Sequence, residues 1–382
     1  MTGVAIEPVE LLLDSLKIYS PTTEEGAYAS FLAGKMERLG YSRVRTDKAG
    51  NVIGEAGRGR LSLLLCGHMD TVPGKLPVRK SGDSIHGRGA ADAKSPLCAL
   101  LIAGARSADS GVKVTFAGVT EEEGDGAGIE SLIRLPQNFD YAVFGEPGGA
   151  DKITVAYRGR IALHVKVRTP GGHAGSPWAY KSAFDEFTSM LERLKEFQGT
   201  KAHSNDRFGS LSITPTTISA GSYQNVIPGL CEATLDVRLP PMPNAAETVD
   251  EIVEVVKNSG EGSTIEVERG GLTEPYEVDR GSILLRAFER AILTRLSSKP
   301  RLVRKTSTGD MNSFATRKHT ECITYGPGAS GTSHTNDEVV SVSDYLKSIE
   351  VLSEAIKQLR ELDHAANSGR RTANWQNFSQ NP

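Results

Sequence analysis

Four segments of this chain end in side chains that bind cations or move protons. Leu61–Cys66 runs into Gly67-His68-Met69-Asp70, and Val112–Val119 runs into Thr120 and the glutamates Glu121-Glu122-Glu123. Tyr141–Phe144 is followed by Gly145-Glu146-Pro147, and Gly87-Arg88-Gly89-Ala90-Ala91 leads to Asp92. Carboxylates gathered in one place repel one another by about 4 kcal/mol per pair at about 4 Å near a protein surface. Protons or a metal must therefore intervene. Imidazole with carboxylate is a ligand set suited to zinc and its neighbours. More carboxylates than one ion can use argues for two ions sharing a bridge, about 3.5–4 Å apart, able to polarise a carbonyl and activate water. One glutamate must then stay off the metals to carry a proton from water to a leaving amine. The glutamate run offers both jobs to adjacent residues.

Taken singly, each feature has a plainer meaning. A histidine at a strand end is commonly structural, a glutamate run is commonly a solvated face, and Asp92 could cap a helix. Gly124-Asp125-Gly126-Ala127-Gly128 has the look of a phosphate loop, but the three preceding glutamates would repel an anion. What favours a site is convergence, because ligands of open α/β sheets collect beyond the carboxyl ends of the strands.

The elements that must position these groups can be read from hydrophobic period. Leu61–Cys66, Val112–Val119 and Tyr141–Phe144 are nearly continuous apolar runs, as expected of strands buried on both faces. Pro96–Ala105 reads as a buried helix and Val9–Leu16 as a short amphipathic one. Thr22 or Thr23 could cap a helix reaching about Leu39, with Gly40 as its stop. From about Tyr157 the pattern changes. Ile161–Val167 and Leu230–Leu239 alternate apolar and polar, as antiparallel strands with one wet face do. Helices near Ser182–Phe197 and Val249–Asn258, and strands near Leu211–Ser219 and Thr264–Glu268, complete an inserted α+β block. Ser282–Leu296 and Ser343–Leu362 then read as helices and Cys322–Tyr325 as a strand. The expected fold is α/β: a mixed, mostly parallel sheet flanked by helices over 1–156 and 272–366, interrupted by a four-stranded antiparallel sheet with two helices over 157–271. Residues 367–382 are polar without a period and are expected to be a disordered tail.

Composition narrows the function. At 382 residues, two domains are the natural expectation. A formal net charge of −3 gives no global attraction to nucleic acid or an anionic membrane. Apolar runs are too short to span a bilayer, and the N-terminus, with Glu7 and Glu10, lacks the basic region of a signal peptide. The four cysteines lie far apart and form no metal-binding or redox pair, which fits a reducing cytosol.

Six spaced motifs carry a resemblance to the M20 metallopeptidases. They are Gly67-His68-Met69-Asp70-Thr71-Val72-Pro73, Gly87 to Lys94, the glutamate run, Gly145-Glu146-Pro147, Gly171-Gly172-His173-Ala174, and Gly326-Pro327-Gly328 leading to His334. The resemblance implies an amidohydrolase in which His68 and Glu146 bind one metal, Asp92 bridges, and a run glutamate with His334 binds the other. The ions would be zinc, with cobalt as the alternative. Asp70 would orient the His68 ring by taking its other N–H. Aligning Gly124 with the family glycine makes Glu122 the base and Glu123 the ligand, the preferred register; sliding by one gives Glu121 and Glu122. The insertion would dimerise the protein, and His173 would reach the partner's site to stabilise an oxyanion; a loop-packing histidine is the plainer meaning. Asn225 and Arg238 match substrate contacts in relatives, although Arg238 could instead pair with Asp236.

Finer likeness in Tyr157-Arg158-Gly159, in Arg304 to Asn312 and in Tyr325-Gly326-Pro327-Gly328 is similar to the LysK-type branch. That branch releases lysine or ornithine from the γ-carboxylate of a small acidic amino-group carrier protein, in lysine and arginine biosynthesis. Arg295, Lys299, Arg301, Arg304, Lys305, Arg317 and Lys318 concentrate positive charge that could form a rim for such a partner, or serve only solubility. The alternatives are an N-acetylornithine deacetylase or a succinyl-diaminopimelate desuccinylase. A non-catalytic metal-binding protein is disfavoured, since neither ligand nor base is lost.

Overall fold

The computed structural model describes residues 6–201, 206–260 and 262–378. The chain divides into two compact units: Met1–Val155 with Val278–Val303 and Ser313–Pro382, and Ala156–Glu277 with Arg304–Asn312. The return falls at Val278 rather than 272. The segment Arg304–Asn312 joins the second unit through Asn312, whose amide donates to the carbonyls of Arg158 and Glu274.

In the first unit, Val112–Val119, Leu61–His68, Tyr141–Phe144 and Glu321–Thr324 lie side by side and parallel. Val52–Ala56 and then Ser42–Thr46 extend one side antiparallel, and Lys152–Tyr157 pairs antiparallel on the other. Leu63, Leu64, Leu65 and Cys66 are all buried, as unbroken apolar runs demand of strands covered on both faces. The helix Lys94–Arg106 packs on the two central strands, and its residues from Leu97 to Gly104 are buried. Ser42–Thr46, Val52–Ala56 and the helix Ala127–Ile133 were not evident from hydrophobic period, being short or polar.

Register decides what the strand ends deliver. His68 stands opposite Val119, and Cys66 opposite Phe144, so the three central strands end nearly level. Pairing continues past them: Met69 N–H donates to the Val119 carbonyl at 2.7 Å and Gly145 N–H to the Cys66 carbonyl at 2.7 Å. His68, the glutamate run and Glu146 therefore emerge along one edge.

The corner after Val119 is fixed from behind by Asn51. Its Oδ1 accepts from Thr120 N–H and its Nδ2 donates to the Gly128 carbonyl. A Cβ on Gly128 would lie 2.4 Å from the Thr120 carbonyl oxygen, so this glycine permits the helix to start against the corner. The expected threonine cap is a correction. The helix Gly26–Arg38 has Glu25 at its N-cap position without a side-chain cap bond: the Glu25 carboxylate accepts the N–H groups of Thr23 and Glu121, and the Thr22 hydroxyl donates to Asp70.

In the second unit the strand order is Ser212–Ala220, Leu230–Leu239, Gly159–Arg168, Thr264–Arg269, antiparallel throughout. Ala183–Thr200 and Ala245–Lys257 cover one face, burying Leu163, Phe187, Leu235 and Ile252. The last helix runs Val342–Phe378, beyond the expected end at Leu362, there being no proline before 382 to stop it. The expected tail thus has helical backbone to Phe378, and 379–382 lie outside the described residues. No described helix is long and apolar enough to cross a membrane.

Substituting Gly128→Ala should force the corner and the glutamate run apart. Overpacking of this kind costs about 1–3 kcal/mol, so the thermal midpoint should fall measurably. An unchanged midpoint would mean that the corner yields freely.

Candidate metal centre

His68 is the hub. Its ring is 1% exposed, and Nε2 lies 3.2 Å from Asp92 Oδ1 and 3.7 Å from Glu146 Oε1. On the opposite nitrogen, Nδ1 lies 3.0 Å from the Asp70 backbone carbonyl and 3.4 Å from the Asp70 carboxylate. The carbonyl can only accept, so in the neutral ring, the form a metal binds, these neighbours favour hydrogen on Nδ1 and the electron pair on Nε2. Of the two Asp70 acceptors, the backbone carbonyl is the nearer.

Asp92 faces both histidines. Its Oδ1 addresses His68, and its Oδ2 lies 3.5 Å from His334 Nε2. The same His334 nitrogen is 2.7 Å from Glu123 Oε1. Donor atoms of His68, Asp92 and Glu123 all lie within 4.8 Å of one another, a spacing a cation can satisfy. The His334 backbone is left-handed, with φ 64°, and its side chain is half exposed. Nitrogen and carboxylate oxygen donors in this arrangement suit zinc, cobalt or manganese.

The glutamate run is held by its backbone. Glu121 adopts φ 59°, reversing the chain, and its N–H donates to Glu25 at 3.2 Å. The next two N–H groups donate to the two oxygens of Asp70, Glu122 at 3.1 Å and Glu123 at 3.0 Å. Glu123 thereby meets His334. Glu25, 5% exposed, was missed in the sequence, where nothing separates it from a surface carboxylate.

Charge explains the proton affinities. Burial works against a charged His68, yet Asp70, Asp92, Glu122 and Glu146 hold its pKa well above the ordinary imidazole value. Burial likewise opposes ionised Asp70 and Asp92, but the adjacent imidazole pulls both pKa values down. Glu123 goes the other way: burial, with Asp92 beside it, raises its pKa despite both histidines. The cluster concentrates negative charge, and a cation would stabilise it.

His173, Asn225 and Arg238 lie in the second unit. His173 pairs with Val226 in a two-residue ladder, and its exposed ring accepts the Gly175 N–H on Nδ1 at 2.9 Å. Asn225 accepts the Ala174 N–H through its carbonyl. Arg238 is engaged by Asp236, Nε to Oδ1 at 2.6 Å. The basic stretch is largely neutralised: Arg295 pairs with Glu354, Arg301 with Asp151, Arg304 with Asp206 and Arg317 with Glu130. Lys318 is turned onto the carbonyls of Leu135 and Gln137. It offers less unbalanced charge than the sequence suggests. All four cysteines are buried, and burial raises the thiol pKa of Cys98, Cys231 and Cys322.

Residues 64–358 match Peptidase family M20/M25/M40. A Pyrobaculum aerophilum protein is 35% identical over 351 residues, covering 92% of this chain and 97% of its own. The [LysW]-lysine/[LysW]-ornithine hydrolase of Sulfurisphaera tokodaii is 31% identical over 350 residues, 92% of this chain and 95% of that one. Among solved structures, aminopeptidase PepT from Bacillus cereus superposes with a TM-score of 0.81 at 18% identity, over 92% of this chain and 98% of that one. With the family matched over most of its length, the chain belongs to Peptidase family M20/M25/M40 and is a hydrolase of amide bonds.

Proposed function

We propose that this protein is a two-metal hydrolase that releases lysine or ornithine from the γ-carboxylate of a small acidic amino-group carrier protein, in lysine or arginine biosynthesis in the cytosol. The observation that carries the metal chemistry is Asp92, whose two oxygens are divided between His68 at 3.2 Å and His334 at 3.5 Å. A carboxylate so placed suits a bridge. In this reading His68 and Glu146 hold one ion, and Glu123 and His334 the other. Two divalent cations, zinc by expectation and cobalt as the alternative, supply Lewis acidity toward the scissile carbonyl and lower the pKa of water.

The chain's own residues do the rest. Asp70 keeps hydrogen on His68 Nδ1, so that Nε2 offers its electron pair. Glu122 takes the proton of the attacking water and passes it to the leaving amine. Contact of Glu123 with His334, at 2.7 Å, supports the register in which Glu123 is the ligand and Glu122 the base. His173 accepts a hydrogen bond on Nδ1, so its neutral ring carries hydrogen on Nε2, as a donor to an oxyanion must. That histidine would act from the partner protomer of a homodimer, with Asn225 and Arg238 contacting substrate. The substrate class rests on the names of relatives such as the Sulfurisphaera tokodaii protein, not on the basic stretch.

Glu122→Gln should lower kcat by about 10²–10⁴-fold while retaining bound zinc, and Glu123→Gln should lose metal. Metal loss in Glu122→Gln, with Glu121→Gln inactive, would mean the other register. Replacing His173 by Ala should reduce kcat by roughly 10²–10³-fold at unchanged metal content; wild-type turnover would remove it from the site. Purified carrier conjugate should release lysine or ornithine faster than N-acetylornithine releases acetate. The opposite order would favour the deacetylase.

A further inference from the structure

We propose that Glu338 is a positioning residue for the metal centre, holding the backbone that carries Asp92 and, through Arg88, the loop that carries His334. The proposal rests on the two-metal reading of that centre. Glu338 is 1% exposed, and each of its oxygens has a separate task. Oε1 accepts two successive backbone N–H groups, Ala91 at 3.0 Å and Asp92 at 2.9 Å. Oε2 takes Arg88 Nη1 at 2.9 Å.

Arg88, 6% exposed, distributes its other hydrogens over two further segments. Nη1 also donates to the Thr335 carbonyl at 3.1 Å, one residue from His334. Nε donates to the Gly74 carbonyl at 2.9 Å, in the loop that follows His68 and Asp70. One buried ion pair thus ties together the loops that deliver Asp92 and His334 and the loop beyond His68.

Stability alone does not account for this pair. Burying two charges costs several kcal/mol, and apolar replacements of buried pairs are often neutral or better. Position gives it a reason. Asp92 must present one oxygen toward each histidine, which its side-chain torsions can do only from a fixed backbone. His334 has a left-handed backbone and a half-exposed side chain, so its placement depends on how the loop that carries it is held. Residues that fix metal ligands in this way are typically worth roughly 10–100-fold in metal affinity.

The two halves of the device can be separated. Glu338→Gln keeps an oxygen for the Ala91 and Asp92 N–H groups but turns an amide N–H₂ toward Arg88, donor against donor. Glu338→Ala removes both halves. Arg88→Lys keeps the buried cation but cannot reach three acceptors. Zinc affinity should be measured on apoprotein by chelator competition, alongside the visible spectrum of the cobalt-loaded protein and the thermal midpoint without metal. Glu338→Gln and Arg88→Lys should each weaken one of the two ions by roughly 10–100-fold and alter the cobalt bands, with Glu338→Ala weakening both. Gln should therefore rescue part of what Ala loses. Lower midpoints with wild-type zinc affinities and cobalt spectra would make the pair merely structural and overturn the proposal. Wild-type protein that binds no zinc would overturn the metal-centre reading, and this proposal with it.

Discussion

Crowded negative charge is the constraint on which the rest of this structure turns. Around the buried His68 ring stand Asp70, Asp92, Glu122 and Glu146, and all four raise its affinity for a proton. Unit charges about 4 Å apart interact by about 4 kcal/mol at an effective dielectric constant near 20, so such a group will not assemble by itself. The sheet assembles it. Hydrogen-bonded pairing of these strands, which are buried on both faces, fixes which residues stand at their ends. The pairing of His68 with Val119 and of Cys66 with Phe144 consequently brings the acids to one edge whether or not they repel.

Crowding is then managed by buried carboxylates that hold backbone rather than substrate. Glu25 takes the Glu121 N–H, Asp70 takes those of Glu122 and Glu123, and Glu338 takes those of Ala91 and Asp92. Hydrogen bonds to ionised acceptors are roughly twice as strong as neutral ones, so each acid stiffens a loop that a neutral partner would leave looser. Asp70 and Glu25 also add negative charge near the site, whereas that of Glu338 is balanced by Arg88. For those first two acids, fixing the loops and attracting metal are thus served by the same groups.

How much of this was legible in the sequence follows from what each signal reports. Apolar runs locate strands, and Val112–Val119 and Tyr141–Phe144 begin and end where the runs do. Residues at the ends of those runs could therefore be placed together, with Asp92 just before the buried helix, whereas His334 came only through the resemblance to the M20 metallopeptidases. Short polar-faced strands such as Ser42–Thr46 lack such a run and stayed hidden. Thr22 had the chemistry of a cap, but its hydroxyl goes to Asp70, 48 positions away, a partner no local window contains. Glu25 and Glu338 were invisible for the same reason. Positive charge counted along Arg295 to Lys318 looked like a surface for an acidic partner, yet most of it is met by acids distant in sequence. Net charge along a segment says nothing about pairing across the fold.

The glutamate run shows where sequence reasoning stops and geometry begins. Three identical side chains can slide past a motif without cost, so spacing alone left two registers open. Backbone conformation favours the register proposed here, with Glu123 as the ligand. With Glu121 turned to φ 59° and donating to Glu25, the next two N–H groups converge on the single carboxylate of Asp70. Adjacent side chains must then diverge, and the one that reaches His334 is Glu123. Because Asp70 also lies against His68 Nδ1, one buried acid sets the histidine tautomer and the placement of both the proposed base and the proposed ligand. Moving Asp70 would disturb all three together.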